Sequence, residues 1–129
     1  MKEMEDCVFC EKLGKKEYVP VIIDYNHFEI IYDGYPVTEG HALIIPKRHV
    51  EKVTELSIGE WLELRDVISE LSAFYAKKGI KDYNIGLNCG INAGQTVPHL
   101  HIHFIPRREG DTPNPKGGVR GVIPEKQQY

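Results

Sequence analysis

The chain has 129 residues, of which 41% are hydrophobic and 27% charged, and it carries a formal net charge of −3. Such a composition belongs to an ordinary folded protein and excludes a disordered one, and the length fits one domain, residues 1–129, with a real core. The absence of any dense Lys or Arg block argues against general nucleic-acid binding, and no apolar run is long enough to span a membrane.

The N-terminal run Met1-Lys-Glu-Met-Glu-Asp6 is polar and unlike a signal peptide, so the expected location is cytoplasmic. An N-terminal segment, residues 1–17, carries Cys7-Val-Phe-Cys10, and Cys89 makes the count odd, which argues against a disulfide framework. The C-x-x-C spacing is open to three readings: two zinc ligands, a redox pair, or two small apolar residues. Val21-Ile22-Ile23 is expected as a short strand, His27–Tyr32 as a second and Ala42–Ile45 as a third. The breakers Gly34, Pro36 and Gly40 between the last two predict an antiparallel hairpin with a long loop. Ser57-Ile-Gly-Glu60 has the capping-box form. After it, Trp61, Leu64, Ile68, Leu71 and Tyr75 recur at helical spacing, with Leu62, Val67 and Phe74 widening the apolar stripe, and Trp61 is expected in the core. Lys77, Lys78 and Gly79 are the expected stop. Asp82–Cys89 is expected as a fourth strand, and Val119–Ile123, within a C-terminal extension over 107–129, as a further one packed on a partner subunit. Paired strands with one long helix and a short N-terminal element predict an α+β fold with an antiparallel sheet.

His99-Leu-His101-Ile-His103-Phe-Ile105 holds three of the six histidines. Strict alternation predicts a half-buried strand with the imidazoles on one face. On a straight strand the Cα atoms of His99 and His103 lie roughly 13 Å apart, so a single ion held by all three is a poor fit. Nucleophilic chemistry fits better: a neutral imidazole, His101, can attack phosphorus while its neighbours hold phosphate oxygens. Gly94-Gln95-Thr96 ahead of the run offers backbone N–H groups, an amide and a hydroxyl to the same anion.

These residues resemble the histidine triad (HIT) superfamily of nucleotide hydrolases and transferases. The His-φ-His-φ-His-φ-φ run stands complete at 99–105. Its flank Asn-x-Gly-x-x-Ala-Gly-Gln-Thr-Val-x-His is present from Asn88 to His99, and the hairpin matches from Asp33-x-x-Pro36 through Gly40-His41 to Ile45-Pro46-x-x-His49. The resemblance implies that His101 is the nucleophile, its other ring nitrogen held on a backbone carbonyl, and that a covalent nucleotidyl-histidine forms. It places His99, His103, Gln95, Thr96 and Gly94 about the phosphates, Asp33 on the ribose hydroxyls, Asn88 near the nucleotide and His41 behind the triad. From the residues alone, Asp33 reads as a turn aspartate before Gly34. The resemblance also implies a structural zinc on Cys7, Cys10, His49 and His99, which sets His99 between metal and phosphate; an empty site with reduced thiols is the alternative. A divalent metal arriving with polyphosphate is compatible with this reading, and no organic cofactor is expected.

Ala93-Gly-Gln-Thr-Val97 and Pro106-Arg107 resemble the dinucleoside polyphosphate hydrolase branch, in the form of bacterial and archaeal members. His103 departs from the uridylyltransferase pattern, which has glutamine there. A nucleoside phosphoramidase, a nucleotide-binding regulator with little turnover and a metal-dependent hydrolase are the alternatives. The implied partners are a nucleotide or dinucleotide substrate and a second copy of the chain in a homodimer. Arg107 is either a distal phosphate contact or a solvated arginine, and Cys89 is expected as a small buried residue.

Overall fold

A computed structural model of the chain describes Cys7, Phe9, residues 17–21 and residues 24–129. The strands β1 (Phe28–Tyr32), β2 (Ala42–Pro46), β3 (Asp82–Leu87) and β4 (Ile102–Arg107) form one sheet in the order β1-β2-β4-β3, every pair antiparallel. Among the described residues one long helix, α1 (Ile58–Ala76), lies between β2 and β3 in the chain, so the fold is the expected α+β one. The strand expected at 21–23 falls largely outside the described residues. Among the described residues no helix is long and apolar enough to cross a membrane.

Helix α1 starts where its sequence says. The Ser57 side chain accepts from the Glu60 N–H at 3.1 Å and Glu60 Oε1 accepts from the Ser57 N–H at 2.7 Å, satisfying two donors the helix would otherwise leave open. At the other end Gly79 takes φ +83°, and the Ile80 and Gly79 N–H groups bond to Tyr75 and Ala76 carbonyls at 3.0 and 2.9 Å, a Schellman stop. Leu64, Val67, Leu71 and Tyr75 make the buried line. Trp61 departs from expectation: it is 47% exposed, and Leu62 is 62% exposed. The first turn points Glu60 inward instead, 3% exposed and paired with Arg48 at 2.8 Å, and the next residue lies about 100° further round the helix. The apolar period of the sequence was thus one residue out of phase at its start.

The sheet has two apolar faces. On one, Phe28, Ile30, Ala42, Ile44, Ile102 and Phe104 pack with Leu64, Val67, Leu71 and Tyr75 of α1. Phe104 is fully buried and stacks between Tyr75 (centroids 5.7 Å) and Tyr83 (4.5 Å), a burial worth about 1.5–3 kcal/mol. On the other, Ile31, Leu43 and Ile45 gather Cys7 and Phe9, with Val97 against them. That second face carries the candidate site. The segment expected as a strand at 119–123 is a 3-10 turn over Gly118–Val122, because Gly117 and Gly118 adopt φ +90° and +47° and rotate the chain out of extended geometry.

Candidate active site

Strand β4 begins only at Ile102, so His99 and His101 lie ahead of it and the three imidazoles are not equivalent. Pro98 interrupts the strand pattern, and the His99 N–H turns back to the Val97 carbonyl at 2.8 Å while the Leu100 N–H bonds to Val50 O at 2.7 Å. His99 is thereby fully buried. Its Nε2 lies 2.8 Å from the Pro46 carbonyl and its Nδ1 3.3 Å from Cys7 Sγ. A carbonyl only accepts, so the ring proton sits on Nε2 and the Nδ1 lone pair faces the thiol. Burial pushes the His99 imidazole pKa below its usual value, with the Pro46 bond working against that shift. The ring is sealed from the surface, with one nitrogen on Pro46 and the other at Cys7, which sets it on the metal side of the two roles expected for it.

His49 sets its ring edge-on to His99 (centroids 4.9 Å, 89°), and ligand atoms of Cys7, His49 and His99 lie within 4.8 Å of one another. Neighbouring ligands around a tetrahedral zinc are about 3.5 Å apart, from bonds of roughly 2.1–2.3 Å, so this set has the right scale. A thiolate with imidazoles suits zinc, and the Pro46 carbonyl on the far nitrogen of His99 is the outer contact that orients a ligating histidine. Cys10, the expected fourth ligand, lies outside the described residues.

His101 Nδ1 is 2.9 Å from the His99 carbonyl, which fixes the proton on Nδ1 and leaves the lone pair on Nε2. The Phe9 ring meets it edge to face at 5.1 Å and touches His99 as well at 5.9 Å. Phe9 was not singled out from the sequence because its two cysteine neighbours carried the signal there. On β4, His103 pairs with Leu43 of β2 and Gly86 of β3, and its ring lies 5.3 Å from that of His101.

The β1–β2 loop brings two more residues to His103. His41 Nε2 is 2.9 Å from His103 Nδ1, and Asp33 Oδ2 lies 3.5 Å from His41 Nε2 and 4.0 Å from His103 Nδ1. His41 Nδ1 accepts the Val37 N–H at 3.1 Å. Burial lowers the pKa of both imidazoles, most for want of solvation, with Asp33 opposing in each case and His101 and His41 adding to the effect at His103. Asp33 Oδ1 also accepts the Tyr35 N–H at 2.7 Å, so the turn role and the site role coexist in one carboxylate. The loop is anchored by the Asp33 N–H on the His41 carbonyl, by Thr38 Oγ1 on the Pro106 carbonyl, and by the Tyr75 hydroxyl on the Gly40 carbonyl. Gly40 is obligatory there, with φ +88° and a Cβ position 2.9 Å from the Tyr75 ring.

The Gln95 amide is turned to the backbone: Oε1 accepts the Gly90 N–H at 2.8 Å, and Nε2 donates to the Glu51 and Val97 carbonyls at 3.0 and 3.2 Å. It braces the loop before the histidines. Arg107 is not a solvated arginine: Nε and Nη2 clamp both oxygens of Asp111 at 2.8 Å, and Nη1 donates to Asn84 at 2.6 Å. That pairing holds the Asp111 carboxyl well below the usual carboxylate range. Cys89 is half-buried, not buried. Thr96 and Gly94 are exposed on the loop, and half-buried Asn88 directly follows the Leu87↔Ile102 pair, the position next to His101.

A family model described as the HIT domain matches residues 15–110. The chain is 34% identical over 105 residues, 81% of each sequence, to an uncharacterized HIT-like protein of Methanocaldococcus jannaschii. It is 38% identical over 77 residues to the asymmetrical bis(5'-nucleosyl)-tetraphosphatase of Schizosaccharomyces pombe, a match spanning 59% of this chain and 42% of that enzyme. Among solved structures, a Zn-bound histidine triad family protein from Mycobacterium smegmatis superposes with TM-score 0.68 at 30% identity, over 91% of this chain and 90% of that one.

Proposed function

The chain belongs to the histidine triad family, and from that premise we propose that it is a nucleotidyl hydrolase acting at the α-phosphate of a dinucleoside polyphosphate-like substrate. The observation that carries the reading is the 2.9 Å contact between His101 Nδ1 and the His99 carbonyl, which commits the Nε2 lone pair to attack. In the first step Nε2 bonds to the α-phosphorus and the P–O bond to the leaving group breaks, the released phosphate taking the electron pair. His103 gives a hydrogen bond to the oxygens that gain charge, and the loop at Thr96 shares that task, the Gly94 and Gln95 N–H groups being held by the Ile91 and Gly90 carbonyls. Water then attacks the same phosphorus, the N–P electrons return to His101, a nucleoside monophosphate departs, and the water's proton passes to the released phosphate.

In this reading Asp33 receives the ribose hydroxyls through Oδ2, and Asn88 meets the nucleotide beside His101. Cys7, His49 and His99, together with Cys10, are the residues to hold zinc, whose contribution is to cross-link the N-terminal segment to the base of the nucleophile; the Zn-bound mycobacterial relative supports this. A homodimer belongs to the same proposal.

Rapid quench with a labelled dinucleoside polyphosphate tests the reading. The wild type should yield an acid-labile nucleotidyl adduct and His101→Ala none. Equal nucleotide binding by both proteins with no adduct in either would make the protein a binder. Comparison of dinucleoside tetraphosphate, triphosphate and adenosine phosphoramidate by kcat/KM then fixes the branch, and highest efficiency on the phosphoramidate would reverse the assignment.

A further inference from the structure

Each ring nitrogen of His41 faces a group whose hydrogen-bonding role can be worked out. The Val37 backbone N–H is always a donor, so His41 Nδ1, 3.1 Å away, must present its lone pair. A neutral His41 therefore carries its proton on Nε2. That nitrogen faces His103 Nδ1 at 2.9 Å, so the proton points into the contact and His103 Nδ1 must accept it. His103, with Nδ1 accepting, then holds its own proton on Nε2. The order runs one way: backbone N–H to His41, His41 to His103, His103 to whatever lies beyond its Nε2.

Protonating His41 would require a second N–H on Nδ1, aimed at the Val37 N–H with two hydrogens in one gap. Asp33 Oδ2, 3.5 Å from His41 Nε2, is the sole carboxylate facing the ring among the described residues, and it lies on the Nε2 side, where it cannot relieve that clash. The ring is 3% exposed, so water does not replace the lost bond. Burial acts in the same direction on its pKa. The same geometry rejects a metal at this cluster, although Asp33, His41 and His103 place three ligand atoms within 4.8 Å of one another. Ligation through Nε2 would drive the proton to Nδ1 and onto Val37.

We infer that His41 is a positioning residue locked neutral by the Val37 N–H, and that it sets His103 as a fixed Nε2–H donor instead of passing protons to it. The donation to substrate rests on the hydrolase reading above; the locked proton order does not. His103 then stabilises charge on phosphate oxygens by a preorganised hydrogen bond, with no proton changing hands along the pair.

The first test is nitrogen-15 NMR of histidine-labelled, ligand-free protein, which reads each ring's tautomer without any turnover. His41 and His103 should both appear as neutral Nε2–H rings at neutral pH. A charged ring or an Nδ1–H tautomer at His41 overturns the inference, whether or not the protein hydrolyses nucleotides. If the tautomers are as stated and no nucleotide is cleaved, the inference stands and the hydrolase reading fails. The second test compares His41→Gln with His41→Ala, both checked for folding by circular dichroism. An amide accepts and donates but cannot carry a proton, so Gln should recover most of the kcat that Ala loses, a loss of about 10²-fold, with little change in KM. A glutamine variant as slow as the alanine variant, with folding intact, shows that the ring must exchange protons and overturns the inference.

Discussion

The two ends of the histidine run carry clusters that look alike by inventory and behave in opposite ways. Cys7, His49 and His99 form one, Asp33, His41 and His103 the other, and in each the ligand atoms converge within 4.8 Å. The difference lies in which backbone group touches the far side of a ring. At His99 the outer partner is a carbonyl, Pro46 O, which draws the proton outward and presents a lone pair inward. At His41 it is an N–H, from Val37, which takes the outer lone pair and sends the proton inward. A lone pair pointing inward makes a metal ligand, while a proton pointing inward makes a hydrogen-bond donor. A single backbone group thus separates a cluster suited to a metal from one suited to donating to an anion, and side-chain identity alone does not.

Metal removal gives the largest contrast. Stripping zinc with a chelator should lower Tm strongly, since ligation of a structural zinc is itself folding free energy. Cys7→Ser should already melt low and respond weakly to chelator, whereas Asp33→Asn should keep the full chelator response. Equal chelator sensitivity lost in both variants would erase the distinction between the clusters.

The Cys7 side of this comparison was half legible in sequence. The C-x-x-C spacing and the histidine run pointed to candidate ligands through a family resemblance. What stayed hidden was that His99 is walled in: a bend at Pro98 and a bond from Leu100 to Val50 delay β4 until Ile102, and strand periodicity cannot foresee a late start. The proton order at His41 was invisible for another reason, since it depends on the N–H of Val37, which any residue but proline would supply. Gln95 shows the same limit. Its amide reads as a phosphate contact beside Gly94 and Thr96, yet backbone groups of Gly90, Glu51 and Val97 claim it through turn geometry. Strands β1, β2 and β3, the capped helix and the hairpin were readable because period, capping and breakers act locally. Trp61 misled because a buried Glu60 paired with Arg48 shifted the inward line of α1 by one residue.

An acid titration of stability should give an intermediate effect. His41 and His103 have folded pKa values below the ordinary imidazole value of 6.5, so the unfolded chain binds protons that the folded one refuses. Stability present above that value is lost as pH falls below it and through the folded values. Denaturant melts between pH 8 and 5 should show this loss, to which the lowered His99 imidazole adds, and it should shrink in His41→Gln, which removes one of the three groups. An unchanged acid loss in that variant would place its origin elsewhere.

The smallest effect is expected at Arg107. Its guanidinium is already engaged by Asp111 and Asn84, so Arg107→Ala should leave the kcat on a dinucleoside polyphosphate close to wild type while loosening the 107–111 turn. A large loss of kcat/KM there would return the arginine to the phosphate.

One contact far from the triad in sequence shapes how portable this chemistry is. The Tyr75 hydroxyl of α1 reaches the Gly40 carbonyl, on the residue before His41, and burial holds its own pKa up at about 12, so the phenol stays a donor at any physiological pH. The loop that carries Asp33, Val37 and His41 is therefore ordered when the helix docks, and a bound nucleotide need not supply that ordering free energy. Grafting the histidine run and its hairpin onto another scaffold would leave this tether behind. A working transplant has to bring Tyr75 and the glycine that makes room for it.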